Sequence, residues 1–592
     1  MKAALALALL LAAPLPASAV HGLPPGAMLA QVAALGGIRA QDEPAPGDIT
    51  LRAAILDLYA LEGAQPTPRG LLGLDASLAK VPASIQEPAA RILAAMNEAA
   101  RLRNEAFARV GVDDARFARD ATLSGAPLSA RDEARLADVL SRLDEAKMVG
   151  AARLVLDAVD AARVDLKAAV ERGDAAGVSF VDPLRSVEIA GTGNDVHAED
   201  RTLLIDLGGD DDWQDNAGAA MPDFVIQAFP GCVTTGALDC TPLSPDRNGP
   251  STGALLGRAC SADATQAPFL AEAYGQDVGD ELASQETQAS LPEAERFVAD
   301  PGAPTQQRAA QLAASPAPDA GCLPQGPGDA PAWASDFYTR GILTDGDEHV
   351  VAVGLDLSGN DRFAPPKGFT GVNDGGNAAG CDTRAMGDAG ETWTRNLTAG
   401  AAFAGIGVLW DDGGDDFYGG RSLTQGVGHV GGVGVLVDAG GDDRYSGVRL
   451  AQGAGIFGSV GLLDDEGGND VYALENDAPF FNEFEAFVGC DVSTRDGQGR
   501  SNFDAVGALV DAAGDDRYQV QAHGAGVPGA SRDDPATTQG STGARLNLGP
   551  SPANEAAALG VGLLWDMGGH DAYSRPGRAD DATDPAGTFV DQ

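Results

Sequence analysis

GIGVLWDDGGDDFY, from Gly405 to Tyr418, is written again as GVGVLVDAGGDDRY from Gly432 to Tyr445 and as SVGLLDDEGGNDVY from Ser459 to Tyr472. The Asp that closes each aliphatic run, Asp411, Asp438 or Asp465, recurs with a period of 27 residues. Looser copies carry it at Asp356, Asp511 and Asp566, and a degenerate one at Asp206. Five residues after it stands a second Asp, at Asp211, Asp361, Asp416, Asp443, Asp470, Asp516 and Asp571, and seven after it an aromatic. A repeat of this length marks a stacked or radial architecture, in which no single unit can bury its own apolar face.

Within each copy the period is that of a strand. Ile406, Val433, Val460, Val506 and Val561 stand five before the first Asp, and Val408, Val435, Leu462, Ala508 and Leu563 three before, with Gly between them. A Leu column (Leu409, Leu436, Leu463, Leu509, Leu564) and an aromatic column (Trp213, Phe363, Tyr418, Tyr445, Tyr472, Tyr518, Tyr573) also need a core. Twenty-seven residues suit one turn of a parallel β-solenoid, whereas a four-stranded propeller blade needs about 40 or more. The expected fold is mainly β, a parallel β-solenoid of 27-residue coils with loop insertions, preceded by a small α-helical domain; an irregular sandwich or propeller-like sheet is the rival.

Along the chain, residues 1–19 read as an export signal, with Lys2, an apolar run and the small residues Ala17-Ser18-Ala19. A linker is expected over 20–47 and a helical domain over 48–180. There Ile92, Met96, Ala99, Leu102 and Ala106, then Val155, Val159, Ala162, Leu166 and Val170, recur at helical spacing, and Gly173 marks a stop. The Gly- and Asp-rich repeat region occupies 186–592, and its largest insertion, about 214–345, is Pro-rich and low in complexity. The excess residues fall between the aromatic and the next long strand, which predicts insertions on one side of the body. The six cysteines (Cys232, Cys240, Cys260, Cys322, Cys381, Cys490) lie outside the motifs and suit disulfides in an exported chain, Cys232 with Cys240 being the easiest to close.

Acidic residues outnumber basic ones 86 to 40 over 592 residues, a net charge of −46. Such a surface repels phosphate backbones and anionic lipid, which argues against nucleic acid and membrane partners, and no stretch after the signal reaches the length of a spanning helix. Divalent cations are the natural partners, with a cell-surface protein or glycan as the wider expectation. Stacked strands would bring equivalent aspartates to about 4.8 Å. There two carboxylates repel by about 1 kcal/mol in water and several times that at an effective dielectric near 20. Ca2+, which takes six to eight hard oxygen ligands in loose geometry, fits carboxylates beside glycine turns. The other reading of DxGGDD is a metal-free corner, since Asp, Asn and Gly are turn formers and Arg362, Arg444 and Arg517 stand next to the acids in three copies. A weaker column, Gln425-Gly426, Gln452-Gly453 and His523-Gly524, reads as a structural amide ladder.

The motif resembles the calcium-binding nonapeptide repeats of haemolysin-type (RTX) proteins, whose core reads G-G-x-G-x-D. In AGTGNDVH, Ala190 to His197, the residues Gly191, Gly193 and Asp195 match, and GGNDVY, Gly467 to Tyr472, is a shorter echo. The resemblance covers six to eight residues per repeat and implies that Asp195 is a ligand with glycine carbonyls completing the shell; the period of 27 departs from nine. No nucleophile elbow, zincin helix, phosphate loop or dinucleotide fingerprint is present, and the six histidines are scattered singly. The expected function is therefore an exported, non-catalytic calcium-binding repeat protein of the extracellular space, cell surface or periplasm, with a structural, adhesive or surface role. The enzymatic alternative is a secreted β-helix polysaccharide lyase or glycoside hydrolase, with Arg444, Arg517 or His429 accepting a proton.

Overall fold

The computed structural model describes residues 22–47, 49–61, 68–111, 114–115, 117–118, 130–197, 201–213, 217–220, 350–364, 396–420, 422–447, 449–474, 497–502, 505–520, 560–573 and 589–591. The expected signal segment, all six cysteines with their expected disulfides, His523 and most of the 214–345 insertion lie outside these residues.

Each 27-residue repeat folds into four strands. In the copy that begins at Ile406 these are Ile406–Asp411, Phe417–Gly419, Ser422–Thr424 and Gly428–His429, after which Val433–Asp438 begins the next copy. Equivalent strands of successive repeats pair in parallel and without slippage: Ile406 opposes Val433, Leu409 opposes Leu436 and Asp411 opposes Asp438. The result is a long sheet of ten strands, an aromatic sheet of eight, and two short ones of three and four. All these pairings are parallel except the first in the long sheet, where Phe180–Val181 turns back on Val187–Ile189. The architecture is thus one of long parallel sheets with no closed barrel, compatible with the solenoid-like expectation.

The alternation in the long strand has a physical reason on each face. Leu409, Leu436, Leu463, Leu509 and Leu564 point inward and pack with the aromatic column. The glycines on the same face are required because the body is thin. A Cβ on Gly407, Gly434 or Gly461 would lie 2.2, 2.1 or 2.0 Å from the carbonyl oxygen of Ala401, Val427 or Ala454. The β-branched face, Ile406, Val408, Val433, Val435 and their equivalents, points outward, yet it too is buried, in one cluster with the helices. Helices α1 (Pro25–Leu35), α2 (Leu51–Leu61), α3 (Pro68–Leu78), α4 (Ala83–Ala106), α5 (Ala130–Ser141) and α6 (Glu145–Glu171) supply that cover. Among them α4 meets Val351–Asp356, α6 meets Ile406–Asp411 and Val433–Asp438, and α1 meets Val460–Asp465 and Val506–Asp511.

Helix α1 falls inside the stretch 20–47 expected to be a linker; Met28, Leu29, Val32 and Ala33 are buried in the shared core. Its apolar content is spread round the helix rather than concentrated at one period, which hides it from a periodicity reading. The helical residues grip the repeats with polar groups as well. Arg163 and Lys167 of α6 reach Asp412 at 2.7 and 2.6 Å, where the Asp412 side chain is fully buried. The Arg103 side chain of α4 donates to the Ala404 carbonyl at 2.8 Å. No helix among the described residues is long and apolar enough to cross a membrane.

The insertions leave at two corners rather than one. Residues 365–395 and 475–496 depart after the aromatic strand, as expected, but the described residues Ala217–Ala220 continue their repeat, so the largest excess begins later, just before the next long strand at Val351. Ala217 and Gly218 have positive φ, at 40° and 72°, and occupy the place that Gln425 and Gly426 take two copies later.

Candidate metal centre

The corner between the long and the aromatic strand is built by its glycines. Gly413, Gly440 and Gly467 have φ of 113°, 122° and 136°, a region that side chains avoid. The next glycine is required by its neighbour: a Cβ on Gly414, Gly441 or Gly468 would lie 1.4 to 1.5 Å from the carbonyl oxygen of Gly359, Gly414 or Gly441 in the preceding repeat. This closeness stacks polar side chains in columns along the corner.

The first column is the Asp that ends each long strand. Asp356, Asp411, Asp438, Asp465, Asp511 and Asp566 oppose one another in register, and all are fully buried. Asp206 is equally buried at the start of the column, and Asp591 opposes Asp566 at its end. In each side chain Oδ1 accepts from the backbone N–H two residues on, as in Asp411 from Gly413 at 2.9 Å and Asp438 from Gly440 at 2.8 Å. From Asp411 to Asp566, Oδ2 accepts from the tyrosine column. The Tyr418 hydroxyl lies 3.1 Å from Asp411 and 2.6 Å from Asp438, and Tyr445 lies 3.1 Å from Asp438 and 2.8 Å from Asp465. The rings stack nearly parallel, with centroids 4.8 Å apart for Tyr418–Tyr445 and for Tyr445–Tyr472. His197 takes the hydroxyl's place at the head of the column, its Nε2 2.8 Å from Asp206.

The second column is the Asp five residues later. Asp211, Asp361, Asp416, Asp443, Asp470 and Asp516 are each at most 3% exposed. Each offers Oδ1 to the backbone N–H of its counterpart one repeat earlier: Asp416 N–H donates to Asp443 at 2.6 Å, Asp443 to Asp470 at 2.7 Å and Asp470 to Asp516 at 2.6 Å. The last oxygen in this ladder belongs to Asp571, which accepts from Asp516 at 2.7 Å. The second oxygens of Asp211, Asp361, Asp416, Asp443, Asp470 and Asp516 are buried and have no hydrogen-bond partner. Native interiors rarely leave polar atoms in this condition, least of all carboxylate oxygens.

Their carboxylates converge with those of the first column. Asp211–Asp356–Asp361, Asp361–Asp411–Asp416, Asp416–Asp438–Asp443 and Asp443–Asp465–Asp470 each bring three carboxylate oxygens within 4.8 Å of one another, as His197–Asp206–Asp211 does with a ring nitrogen. The groups share members, so they form a continuous thread. Burial is the main force raising the carboxyl pKa values above the ordinary range. Asp438 and Asp465 reach about 7, with the neighbouring carboxylate of the column next in effect. Asp443 is pushed up further, by burial first and then by Asp438 and Asp465. Two negative charges per repeat therefore demand two protons or one dication. These buried clusters could hold a metal ion, and the donor set is oxygen throughout, save for His197.

Asp195, the ligand implied by the family resemblance, is exposed at the open end of the thread and donates its backbone N–H to Asp211 at 2.5 Å. Arg362, offered as a neutraliser, pairs with Asp212 at 2.8 Å. Arg444 and Arg517 stand between an inward Asp and an inward Tyr, so strand alternation turns them to the opposite face; Arg517 is exposed. The tyrosine hydroxyls are the functional groups that sequence reading missed, although the constant seven-residue step from Asp to Tyr was visible. The glutamine corner holds Gln425, Gln452 and Gln498, with Gln498 displaced by the 475–496 insertion. Their amide nitrogens bridge backbone carbonyls of adjacent repeats, Gln425 reaching Tyr418 at 2.9 Å and Ser446 at 3.0 Å. These bonds run from amide to backbone, so the column is not a side-chain amide ladder.

No family model, curated protein or solved structure matches this chain.

Proposed function

We propose that this is an exported, non-catalytic repeat protein whose coils form a parallel β-solenoid cross-linked along one corner by calcium, serving a structural, adhesive or surface role. The observation that carries the reading is the line of buried carboxylate oxygens without hydrogen-bond donors. One dication per repeat interval balances the two carboxylates that each repeat contributes. Calcium is favoured over magnesium because it accepts irregular oxygen geometry and sheds water readily, and over transition metals because the thread is carboxylate and tyrosine rather than Cys and His. The motif likeness to haemolysin-type repeats agrees with this choice of ion.

The role follows from the same chemistry. A stack whose layers repel without calcium and lock with it is rigid only where calcium is plentiful, which suits an exported protein. Its acidic surface suits divalent cations and partners such as a cell-surface protein or glycan. The test is calcium titration calorimetry on the chelator-treated mature chain, followed by melting with and without the ion. Several bound ions and a raised melting temperature are expected. An absence of binding heat together with an unchanged melting temperature would sink the reading.

A further inference from the structure

We infer that the thread is not uniform, and that the interval formed by Asp211, Asp356 and Asp361 is its tightest divalent-cation site. This rests on the calcium reading above and names the place where binding begins.

At the other positions from Asp206 to Asp566, the Asp that ends the long strand has its Oδ2 within hydrogen-bond distance of a side-chain donor. Tyr418 lies within reach of Asp411 and Asp438, Tyr445 of Asp438 and Asp465, Tyr472 of Asp465 and Asp511, and Tyr518 of Asp511; each hydroxyl has one proton to give, and the tyrosines from Tyr418 to Tyr573 are as many as the aspartates from Asp411 to Asp566. Asp566 accepts from Tyr573 and Asp206 bonds His197. Asp356 differs because the aromatic of its own repeat is Phe363, which has no hydroxyl, and the aromatic of the repeat before it is Trp213, whose Nε1 finds no acceptor. Asp356 is fully buried, its Oδ1 accepts from Ser358 N–H at 2.9 Å, and its Oδ2 has no partner. The Oδ2 atoms of Asp211 and Asp361 are in the same state.

Three carboxylates that each carry an unpartnered oxygen therefore meet in this interval, where Asp416–Asp438–Asp443 has two such groups and a third whose Oδ2 is already bonded at 2.6 Å. A hydrogen bond to a carboxylate oxygen occupies a lone pair and withdraws charge, so each tyrosine hydroxyl competes with a cation for its Asp. With no such competitor, Asp356 gives a cation its full basicity.

Phe363→Tyr tests this with little structural change. The Phe363 ring already lies in the column, 4.9 Å from Tyr418 and 2° from parallel, so an added hydroxyl falls where Tyr418 places its own, between two stacked aspartates. In calcium titrations of the full mature chain, the native protein should show one ion bound more tightly than the rest. Phe363→Tyr should weaken that ion about tenfold, the scale of one charged hydrogen bond, and leave the ions beyond the adjoining Asp361–Asp411–Asp416 interval as they were. Asp356→Asn should abolish it. Tyr445→Phe, which leaves four hydroxyl protons for the five aspartates from Asp411 to Asp566, should strengthen ion binding at Asp438 or Asp465. Indistinguishable ions in the native chain, or a tight ion unmoved by Phe363→Tyr, would overturn this inference while leaving calcium binding intact; absence of any bound calcium would overturn both.

Discussion

Two acidic columns run side by side along one corner of this protein, one residue apart in sequence, and they live under different physics. The outer one, Asp210, Asn360, Asp415, Asp442, Asn469 and Asp515, is exposed, and its side-chain oxygens accept from the backbone N–H of the following repeat, as Asp415 does from Asp442 at 3.0 Å. The inner one, Asp211 through Asp516, makes the same type of bond toward the preceding repeat and is buried. An outer side chain needs only one acceptor oxygen, which Asn supplies as well as Asp, and water screens the rest. An inner side chain has a second oxygen with nowhere to put its charge. The lesson is that burial, more than the identity of the residue, turns a turn-forming aspartate into a group that demands a cation.

The comparison is broken most severely by removing the ion. Each ion present at about a hundredfold its dissociation constant adds about 2.7 kcal/mol to stability, so stripping a thread of them should lower the melting temperature more than any single substitution here. Differential scanning calorimetry with chelator and with calcium measures it.

Next in size is a sign reversal. Asp443→Asn keeps the Oδ1 acceptor for Asp416 N–H and removes one buried charge. In chelator it should raise the melting temperature; in calcium it should lower it, through a stability loss of about 2–3 kcal/mol for the lost ion. Asp442→Asn, its outer neighbour, should stay within about 0.5 kcal/mol in both conditions. Equal behaviour of the two would erase the distinction between the columns.

The pH dependence sharpens the same contrast. Carboxyl groups raised in the folded state bind protons more tightly than in the unfolded chain, so the stability they contribute is fully present below an unfolded value of about 3.9 and is lost as pH rises through the folded one. For Asp438 and Asp465 the loss runs from near pH 4 to about 7. The chelated protein should melt at progressively lower temperature across that window. The calcium-induced rise should grow over the same range, because the ion displaces protons. Gly441→Ala should cost about 1–3 kcal/mol in either condition, since its Cβ would meet the Gly414 carbonyl oxygen at 1.5 Å. That loss is steric and independent of the ion.

The repeat made the Asp columns legible, because a residue kept at one place in every unit must stack when the units do. Strand alternation was equally plain, but not which side faced in. Gly and Leu line the thin interior while Val and Ile turn out toward the helices, and a period of two cannot distinguish a face against a helix from one against another sheet. Gln498 escaped because an insertion moved it from its place seven residues after the tyrosine to 26. Asp591 was hidden because the strand that carries it, Phe589–Asp591, is only three residues long and lacks the aliphatic-glycine alternation of the other copies. The inner acid was legible as the position that stays Asp in every copy, where the outer one varies to Asn360, Asn469 and His570; what the sequence did not show is that the inner side chain is buried and its neighbour exposed.

The central claim is that divalent cations thread between the layers of the inner column. The most direct test is an anomalous difference map from crystals of the mature protein grown in calcium. Peaks should appear between successive repeats, about 2.3–2.6 Å from the Oδ2 atoms of Asp416 and Asp443 and from their equivalents. A clean map with no peak there, and with the carboxyl groups closed on one another through shared protons, would contradict the account.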